Sequence, residues 1–204
     1  MCFLNWFRGE KSNVEVLPDR VWMTSRAKFA GIADFVQQAL ASRDSPLAMI
    51  LVAHFPDCLE QLRKLVDEEF SGSPVMAAGS SDLAAATSMR ADLDESQRID
   101  LVVGERHPLL SRDEAIEEFA RGLPCRCRIS RHVSLEDATM SLFAGEWVQT
   151  LLKRLGMKEG EAIESKMVSR RIMQAHEKIQ ERAWSDEPAD SAGHWIERNS
   201  PDSR

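Results

Sequence analysis

The sequence predicts an α/β fold in which a mostly parallel sheet flanked by helices is followed by a C-terminal helical appendage. Two runs of strand length, residues 48–53 and 99–104, are apolar almost throughout, as in strands that are covered on both faces. Segments with helical periodicity separate the strand candidates, and parallel strands need such crossover connections. Only helical patterns follow residue 134, which sets the last part of the chain apart as an appendage.

Three segments of the α/β part carry helical patterns. In residues 25–42, apolar side chains recur at steps of three and four, which places them on one face of a helix. Asp57 is followed three residues later by Glu60, and Ser111 is followed in the same way by Glu114. Each pair matches the pattern of an N-terminal cap, so we expect the second and third helices to begin at these residues.

Shorter signals complete the predicted sheet. Residues 74–78 are a short strand candidate, whereas residues 79–98 are rich in Ser, Ala and Asp and indicate a loop with at most a short helix. Residues 125–133 alternate apolar Cys and Ile with Arg and Ser. That period of two is typical of a strand with one covered face, so we expect this strand at an edge of the sheet.

The composition limits the classes of partner and compartment. The chain of 204 residues has 26 Lys and Arg against 33 Asp and Glu, a net charge of −7, which argues against nucleic acid as a partner. Its four Cys residues are too scattered for a disulfide scaffold, which favours a reducing cytoplasm. We find neither an apolar run of membrane-spanning length nor a signal peptide. The apolar N-terminal segment, residues 1–13, is expected to be mobile or packed on the domain, with a membrane-touching anchor as the less favoured alternative.

The longest continuous helical pattern lies between residues 134 and 184. Ser134, with Asp137 three residues later, predicts the start of a first helix. The apolar face of this helix comprises Met140, Phe143, Trp147, Leu151 and Leu155. The apolar face of a second helix comprises Val168, Ile172, Ala175 and Ile179. Two packed amphipathic helices follow from this pattern.

The same stretch resembles a known family. From Ser134 it reads Ser-Leu-Glu-Asp-x-x-Met-x-x-Phe, then Leu-Gly-Met-x-x-Gly-Glu-Ala-Ile-Glu, then Val-Ser-Arg-x-Ile-x-x-Ala-x-x-Lys. These motifs are similar to SecA, the preprotein translocase motor, and they extend without a gap over about fifty residues. In that family the segment leads from the second nucleotide-binding domain into the helical scaffold domain.

The resemblance extends upstream, though more weakly. Leu-Pro-Asp-x-Val-Trp-Met-Thr, from Leu17, resembles the beginning of the second nucleotide-binding domain of SecA. The residues that match the two clearest motifs are Glu105, Arg106, His107, Ser134, Glu136 and Asp137. The resemblance implies a RecA-like domain over residues 14–133, a helical scaffold-like segment over residues 134–184 and a flexible tail over residues 185–204. Within that tail, His194-Trp195-Ile196 is a docking candidate.

The departures from the family concern ATP. A motor ATPase needs a phosphate-binding loop of the type Gly-x-x-x-x-Gly-Lys-Ser/Thr, and the sequence contains none. Residues 79–98 lack the Gly-Arg-Gly-Thr-Asp motif of the family. In the region of its next motif, Gln-x-x-Gly-Arg-x-Gly-Arg, the glutamine and the arginines of the family fall on Ala115, Glu117, Phe119 and Gly122. The chain is therefore expected to bind no ATP on its own, and no other cofactor is predicted.

Three functions are consistent with these residues. The first is a non-catalytic accessory or binding protein in preprotein translocation, whose partner is SecA, the Sec translocon or a preprotein. The alternatives are an ATPase subunit completed in trans by a chain with the phosphate-binding loop, and an interaction module no longer linked to export. We expect a cytoplasmic protein, in part peripheral to the inner membrane. The predicted partner surface comprises Met140, Phe143, Trp147, Arg170, Arg171 and Lys178.

The remaining chemical signals are weak. Cys125, Cys127 and His132 do not form a four-ligand zinc set, and we interpret the two cysteines as core residues. His107 has no visible carboxylate partner in the sequence, so we interpret it as a surface histidine. Asp92, Asp94 and Glu95 follow no apolar strand, and we interpret them as a solvated loop.

Overall fold

A computed structural model describes residues 12–88, 93–142, 150, 154, 158 and 160–200. The strands within these ranges are β1 (Val14–Val16), β2 (Arg20–Trp22), β3 (Ala48–Ala53), β4 (Val75–Gly79), β5 (Arg98–Val103), β6 (Arg126–Ser134) and β7 (Ile163–Glu164). The α-helices are α1 (Ser25–Ala41), α2 (Pro56–Glu69), α3 (Leu83–Ser88), α4 (Leu110–Arg121), α5 (Ala138–Ser141), α6 (Lys166–Arg182) and α7 (Ala192–Asn199). A 3₁₀ turn, Ser80–Asp82, precedes α3.

The strands form one sheet in the order β4-β3-β5-β6-β2-β7, and β1 also pairs with β6. All the pairs are parallel except that between β2 and β7. The predicted α/β class, a mostly parallel sheet flanked by helices, is thereby confirmed. Helices connect the successive strands β3, β4, β5 and β6, as parallel pairing requires.

The prediction that residues 125–133 form an edge strand is wrong. Strand β6 has β5 on one side and both β1 and β2 on the other, so it lies inside the sheet. Its alternation between exposed and covered positions ends at Ile129, and every later residue of the strand is buried. The buried residues include Arg131 and His132. Polar residues of this strand are buried among other side chains, so their polarity did not indicate a solvent-exposed face.

Both helix starts predicted from capping pairs are displaced. Helix α2 begins at Pro56, whose ring suits the first position of a helix, and Asp57 lies inside the first turn. Helix α4 begins at Leu110, so Ser111 is likewise inside the helix. Neither helix has a side-chain hydrogen bond from its N-cap residue. Other residues supply the caps, as described below for the site.

Strand β3 shows why an apolar run signals the middle of the sheet. Met49 and Leu51 pack on one face with residues of α1 and α2, whereas Ile50 and Val52 pack on the other face with residues of α4. Both layers are closed to water, as predicted from an all-apolar strand. Cys125 and Cys127 are buried in the second layer, so they are core residues as predicted.

The helical segment packs against strands β2 and β6 through a third apolar cluster. This cluster comprises Val21, Val133, Leu135, Met140 and Ile172. Met140 is 4% exposed, so its assignment to a partner surface is wrong, because it fills the junction between the sheet and α6. Phe143 and Trp147 lie outside the described residues. Of the helix expected from residue 135, the structure describes α5, which begins at Ala138 because β6 continues to Ser134.

Up to Ser200, the segment predicted to be a flexible tail is folded instead. Helix α7 buries Trp195 and Ile196. The side chain of Asn199 accepts hydrogen bonds from Ser185 Oγ and Glu187 N, and it donates to two backbone oxygens. The docking candidate in this segment therefore packs within the same chain. Of the helices in the described ranges, none has the length and apolar character needed to cross a membrane.

Candidate functional site

The candidate site lies at the carboxyl ends of β3 and β5. The chain runs from β3 outward to β4 and then returns to the other side of β3 to form β5. Open α/β sheets bind ligands at such a reversal of strand order. His54 and Phe55 follow β3 here, and the motif Glu105-Arg106-His107 follows β5.

Glu105 caps the start of α2. Its Oε1 accepts hydrogen bonds from the backbone N–H groups of His54, at 3.0 Å, and Phe55, at 2.9 Å. Burial raises the pKa of Glu105 to about 8, although the N–H of Phe55 and the charge of Lys28 act in the opposite direction. The amides of a helix N-terminus can hold a phosphate. In α2 the neighbouring amides are bonded within the chain.

The next two amides of α2 complete this internal capping. Asp57 N donates to the carbonyl oxygen of Asp190, at 3.2 Å, and Cys58 N donates to Asp57 Oδ1, at 2.6 Å. Pro56 has no N–H to donate. The anion-binding capacity of this helix end is therefore satisfied by carboxyl and carbonyl oxygens of the same chain.

Arg106 links two parts of the chain through buried ion pairs. Its Nη2 lies 2.7 Å from Asp19 Oδ1, and its Nη1 lies 2.7 Å from Asp113 Oδ2. All three residues are buried. Although burial opposes it, the hydrogen bond from His54 and the charge of Arg106 hold the pKa of Asp113 well below its usual value. Arg106 thereby ties the turn before β2 to helix α4.

His54 continues this network towards the protein surface. Its Nε2 lies 2.8 Å from Asp113 Oδ1, and its Nδ1 lies 3.2 Å from Ser80 Oγ. A serine, a histidine and an aspartate in line are also the parts of a nucleophilic relay. None of the clefts that we describe includes Ser80 or His54. We therefore interpret this line of groups as support for the fold.

His107 is buried, so its interpretation as a surface histidine is wrong. Its ring stacks on Phe55 with centroids 5.0 Å apart and meets Trp195 edge-on at 5.3 Å. Its Nδ1 accepts a hydrogen bond from Leu109 N. Burial lowers the pKa of His107 to about 3. The cover comes from α7, which is far away in sequence, and this separation hid the burial from sequence analysis.

The second motif also caps helices. Glu136 Oε2 accepts a hydrogen bond from Ser25 N, at 2.8 Å, at the start of α1. Asp137 accepts from both the backbone N and the Oγ of Ser134, each at 2.8 Å. Asp137 also pairs with the buried ammonium of Lys28 at 2.8 Å. Ser134 and Asp137 thus contact each other as predicted, although Ser134 ends a strand and does not begin a helix.

The two motifs meet in one cleft of about 280 Å³. Its lining includes Glu105, Arg106, Glu136, Asp137 and Lys28. Ser134 supports this lining through its hydrogen bonds to Asp137, whereas His107 packs on Phe55 and Trp195 and is not part of the lining. Carboxyl groups outnumber cations here, which suits helix capping better than the binding of a phosphate. Within the described ranges, no group of three His, Cys, Asp or Glu side chains is placed to hold a metal ion.

On α4, residues other than arginine occupy positions at which the family has arginine. Glu117 accepts hydrogen bonds from Arg121 and Arg131, each at 2.8 Å. Phe119 packs against the apolar layer beneath α4. Arg112, the other arginine of this helix, pairs with Asp186. Both arginines of α4 are therefore engaged in ion pairs within the chain.

Arg170, Arg171 and Lys178 are exposed on α6. Ile172 and Ile179 on the same helix are buried, so the predicted orientation of this helix agrees with the structure. Sequence analysis missed the buried partners of the motifs, namely Asp19, Lys28, His54 and Asp113. One signal was available, because Leu-Pro-Asp and Glu-Arg-His both resembled the family and each supplies one side of the pair between Asp19 and Arg106.

Comparisons with known proteins identify relatives for part of the chain. No protein-family model matches it. The SecA translocase subunit of Koribacter versatilis is 61% identical over 49 residues, 24% of this chain and 5% of that protein. SecA 1 of Rhodopirellula baltica is 56% identical over 50 residues, 24% of this chain and 4% of that protein. SecA of Acinetobacter baumannii is 37% identical over 93 residues, 45% of this chain and 10% of that protein.

A search of solved structures adds little. The C-terminal part of the Fun30 ATPase domain has a TM-score of 0.39 at 9% identity, covering 76% of this chain and 54% of that one. This likeness is too distant to bear on the function.

The residues that match the two motifs, which we call the motif cluster, are Glu105, Arg106, His107, Ser134, Glu136 and Asp137. The fold that holds them is an α/β fold with a mostly parallel sheet and attached helices. The sequence matches show that the chain contains a segment related to SecA. The matches cover 4% to 10% of the length of these relatives, so the chain spans a small part of the proteins that it resembles.

Proposed function

We propose that this SecA-related chain takes part in protein export by binding another component, and that it does not hydrolyse ATP. The main support is the state of the helix end at the site. The amides at the start of α2 are already bonded within the chain: Phe55 N to Glu105, Asp57 N to Asp190 and Cys58 N to Asp57. To bind there, the phosphate of a nucleotide would have to displace the oxygens of this chain that already accept hydrogen bonds from these amides.

The substituted positions on α4 support the same proposal. An arginine that stabilises a transferring phosphoryl group contributes about 10³–10⁵ in rate. Glu117 has the opposite charge, and its carboxylate is already bound to Arg121 and Arg131. Phe119 has no charge and packs in the apolar layer. The motif residues that remain are those that cap helices and pair buried charges.

The relatives provide the setting of protein export. We propose a cytoplasmic protein, in part peripheral to the inner membrane, whose partner is SecA, the Sec translocon or a preprotein. Nucleic acid is not a proposed partner, because the net charge is −7. The proposed contact surface is the exposed side of α6, which carries Arg170, Arg171 and Lys178.

Two measurements test this proposal. Titration calorimetry and an ATPase assay on the purified chain are expected to show no micromolar affinity for Mg·ATP and no turnover above background. Co-purification from a native lysate, with immunoblots for SecA, SecY and a preprotein, is expected to recover at least one of them. Turnover that survives repurification would overturn the ATP part, and absence of every Sec component would overturn the export part.

A charge reversal identifies the contact surface. Changing Arg170 and Arg171 together to Glu is expected to weaken co-purification and to make it less sensitive to salt, because attractive charge pairs are lost. The matched control changes Glu177 and Glu181, exposed on the same helix, to Lys. If the control weakens binding as much as the reversal does, the positive charges of Arg170 and Arg171 are not what the partner recognises.

A further inference from the structure

A second cleft, which shares Arg106 with the cleft at the motifs, lies between the β1–β2 connection, α4 and α6. Its volume is about 370 Å³, within the range of sites that hold a small ligand or a few residues of a peptide. We call it the α4–α6 cleft and define it by six of its lining residues. These are Val16, Asp19, Arg131, Lys166, Arg170 and Met173.

The walls of this cleft expose apolar side chains. Val16 and Met173 are 43% and 45% exposed, and they are two of the five large apolar side chains that are exposed in the described ranges. Leu17, Pro18 and Leu110 extend the same surface. A single exposed apolar residue is ordinary, but several around one concavity mark an interaction site. The cleft is therefore suited to accept an apolar side chain.

Two buried polar atoms beside the cleft have no hydrogen-bond partner in the described part of the chain. They are Asp19 Oδ2 and Arg131 Nε, on side chains that line the cleft and are almost fully buried. A buried polar group without a partner is unfavourable for the folded chain. One of these atoms accepts a hydrogen bond and the other donates one. A peptide group supplies one donor and one acceptor, the two kinds of partner that these atoms lack.

The rim of the cleft carries positive charge. Lys166 and Arg170 are exposed there, and neither is in an ion pair within the described ranges. The buried charges of the lining pair with one another, Arg131 with Glu117 and Arg106 with Asp19 and Asp113. Among the exposed charges of the lining, Glu114 alone opposes the two cations. The rim is thus cationic on a chain whose net charge is −7. Such a local field attracts an acidic ligand and disfavours a basic one.

We propose that the α4–α6 cleft binds a short acidic peptide segment of a partner protein. The segment places an apolar side chain between Val16 and Met173, a peptide group against Asp19 and Arg131, and a carboxylate at Lys166 and Arg170. This proposal rests on the proposed function, because it specifies where on the chain the export partner docks and what chemistry is recognised. It also separates Arg170, inside the cleft, from Arg171, outside it.

The test uses the full chain and a fluorescein-labelled peptide in which leucine alternates with glutamate. Fluorescence anisotropy is expected to show saturable binding of this peptide and none of its counterpart with lysine in place of glutamate. Arg170→Glu and Met173→Glu are each expected to weaken binding by about tenfold, from a reversed charge and a lost apolar contact. Both side chains are exposed, and a thermal melt of each variant verifies that it is folded.

Arg171→Glu is the matched control, because it makes the same charge change at the next exposed position of α6. It is expected to change the affinity by less than about threefold. Equal weakening by Arg171→Glu, or equal binding of the lysine peptide, would overturn the proposal in favour of unspecific charge attraction. Binding of phosphatidylglycerol vesicles that Arg170→Glu abolishes, with no peptide binding, would overturn it in favour of a membrane surface.

The outcomes for the two proposals can be told apart. If a Sec component co-purifies but the glutamate peptide does not bind, the cleft proposal fails alone. If the peptide binds with the expected variant pattern but every Sec component is absent, the export proposal fails alone.

Discussion

The motif cluster and helix α4 share the carboxyl side of the sheet, yet only the cluster keeps the residues that match SecA. Glu105, Glu136 and Asp137 bond to backbone amides or to Lys28 inside this chain. On α4, Glu117 and Phe119 replace arginines whose use depends on a phosphate group. Capping and charge pairing are needed by the folded chain itself, whereas phosphoryl transfer is needed only by an ATPase. The difference teaches that the retained resemblance records requirements of folding.

The largest effect on stability is expected from a substitution that removes the buried ion pairs of the motif cluster. Arg106→Met removes the cation that pairs with both Asp19 and Asp113. We expect a loss of about 3–5 kcal/mol in the free energy of unfolding, because two buried carboxylates lose their partner. Urea denaturation measures this loss. Arg112→Met is the control, because its pair with Asp186 is largely exposed and should contribute at most about 1 kcal/mol.

Glu105 provides a sharper test of capping. Glu105→Ala leaves the backbone N–H groups of His54 and Phe55 without their acceptor, and we expect a cost of about 2–3 kcal/mol. Glu105→Gln keeps an oxygen that accepts from both donors, so its cost should be less than half as large. Equal costs for the two variants, measured by urea denaturation, would show that the contribution of Glu105 is not capping.

Two buried histidines allow a motif residue, His107, to be compared with a residue outside the motifs, His132. Burial lowers the pKa of both His107 and His132 to about 3, below the usual value near 6.5. The unfolded chain therefore takes up protons first, and the stability present above pH 6.5 is lost as pH falls towards 3. At pH 5 each histidine should account for about 2 kcal/mol of that loss, from about 1.4 kcal/mol per pH unit.

Replacing each histidine by phenylalanine measures its contribution to the pH dependence of stability. His132 makes no hydrogen bond among the described residues and packs against Trp22 and Phe35. His132→Phe should therefore flatten the pH profile with little cost at pH 7. His107→Phe should flatten it as well, but it also removes the acceptor of Leu109 N, which should cost about 1–3 kcal/mol at pH 7. Unfolding curves at pH 5 and pH 7 would contradict this account if neither profile changed.

The elements that sequence analysis found are those set by local patterns. Strand β3 has the predicted bounds because each of its residues is apolar and buried. Helix α1 likewise begins at the residue predicted. The interior position of β6 was missed because the partners of Arg131 and His132 lie on other elements. The folded C-terminal segment was missed because Trp195 meets His107 and Phe55 only in three dimensions.

The site was predicted in the same uneven way. The six motif residues were identified from their resemblance to a family, and the structure brings them to one end of the sheet. Their roles could not be predicted, because a carboxylate that caps a helix and a carboxylate that binds a ligand look alike in sequence. Lys28 illustrates the point, since nothing in its helical pattern distinguishes a buried partner of Asp137 from a solvated lysine.

The smallest expected effect tests the replaced positions on α4. Ala115→Gln restores the glutamine of the family at an exposed position, so we expect a change within about 0.5 kcal/mol in stability. Glu117→Arg restores an arginine but places it beside Arg121 and Arg131, whose partner it removes. That change should destabilise the chain more than Ala115→Gln does, as like charges replace an ion pair. Neither variant, alone or combined, should gain ATP binding by calorimetry, because the amides of α2 remain bonded to Glu105, Asp57 and Asp190. A combined variant that binds Mg·ATP would instead place the loss of ATP chemistry on α4 alone.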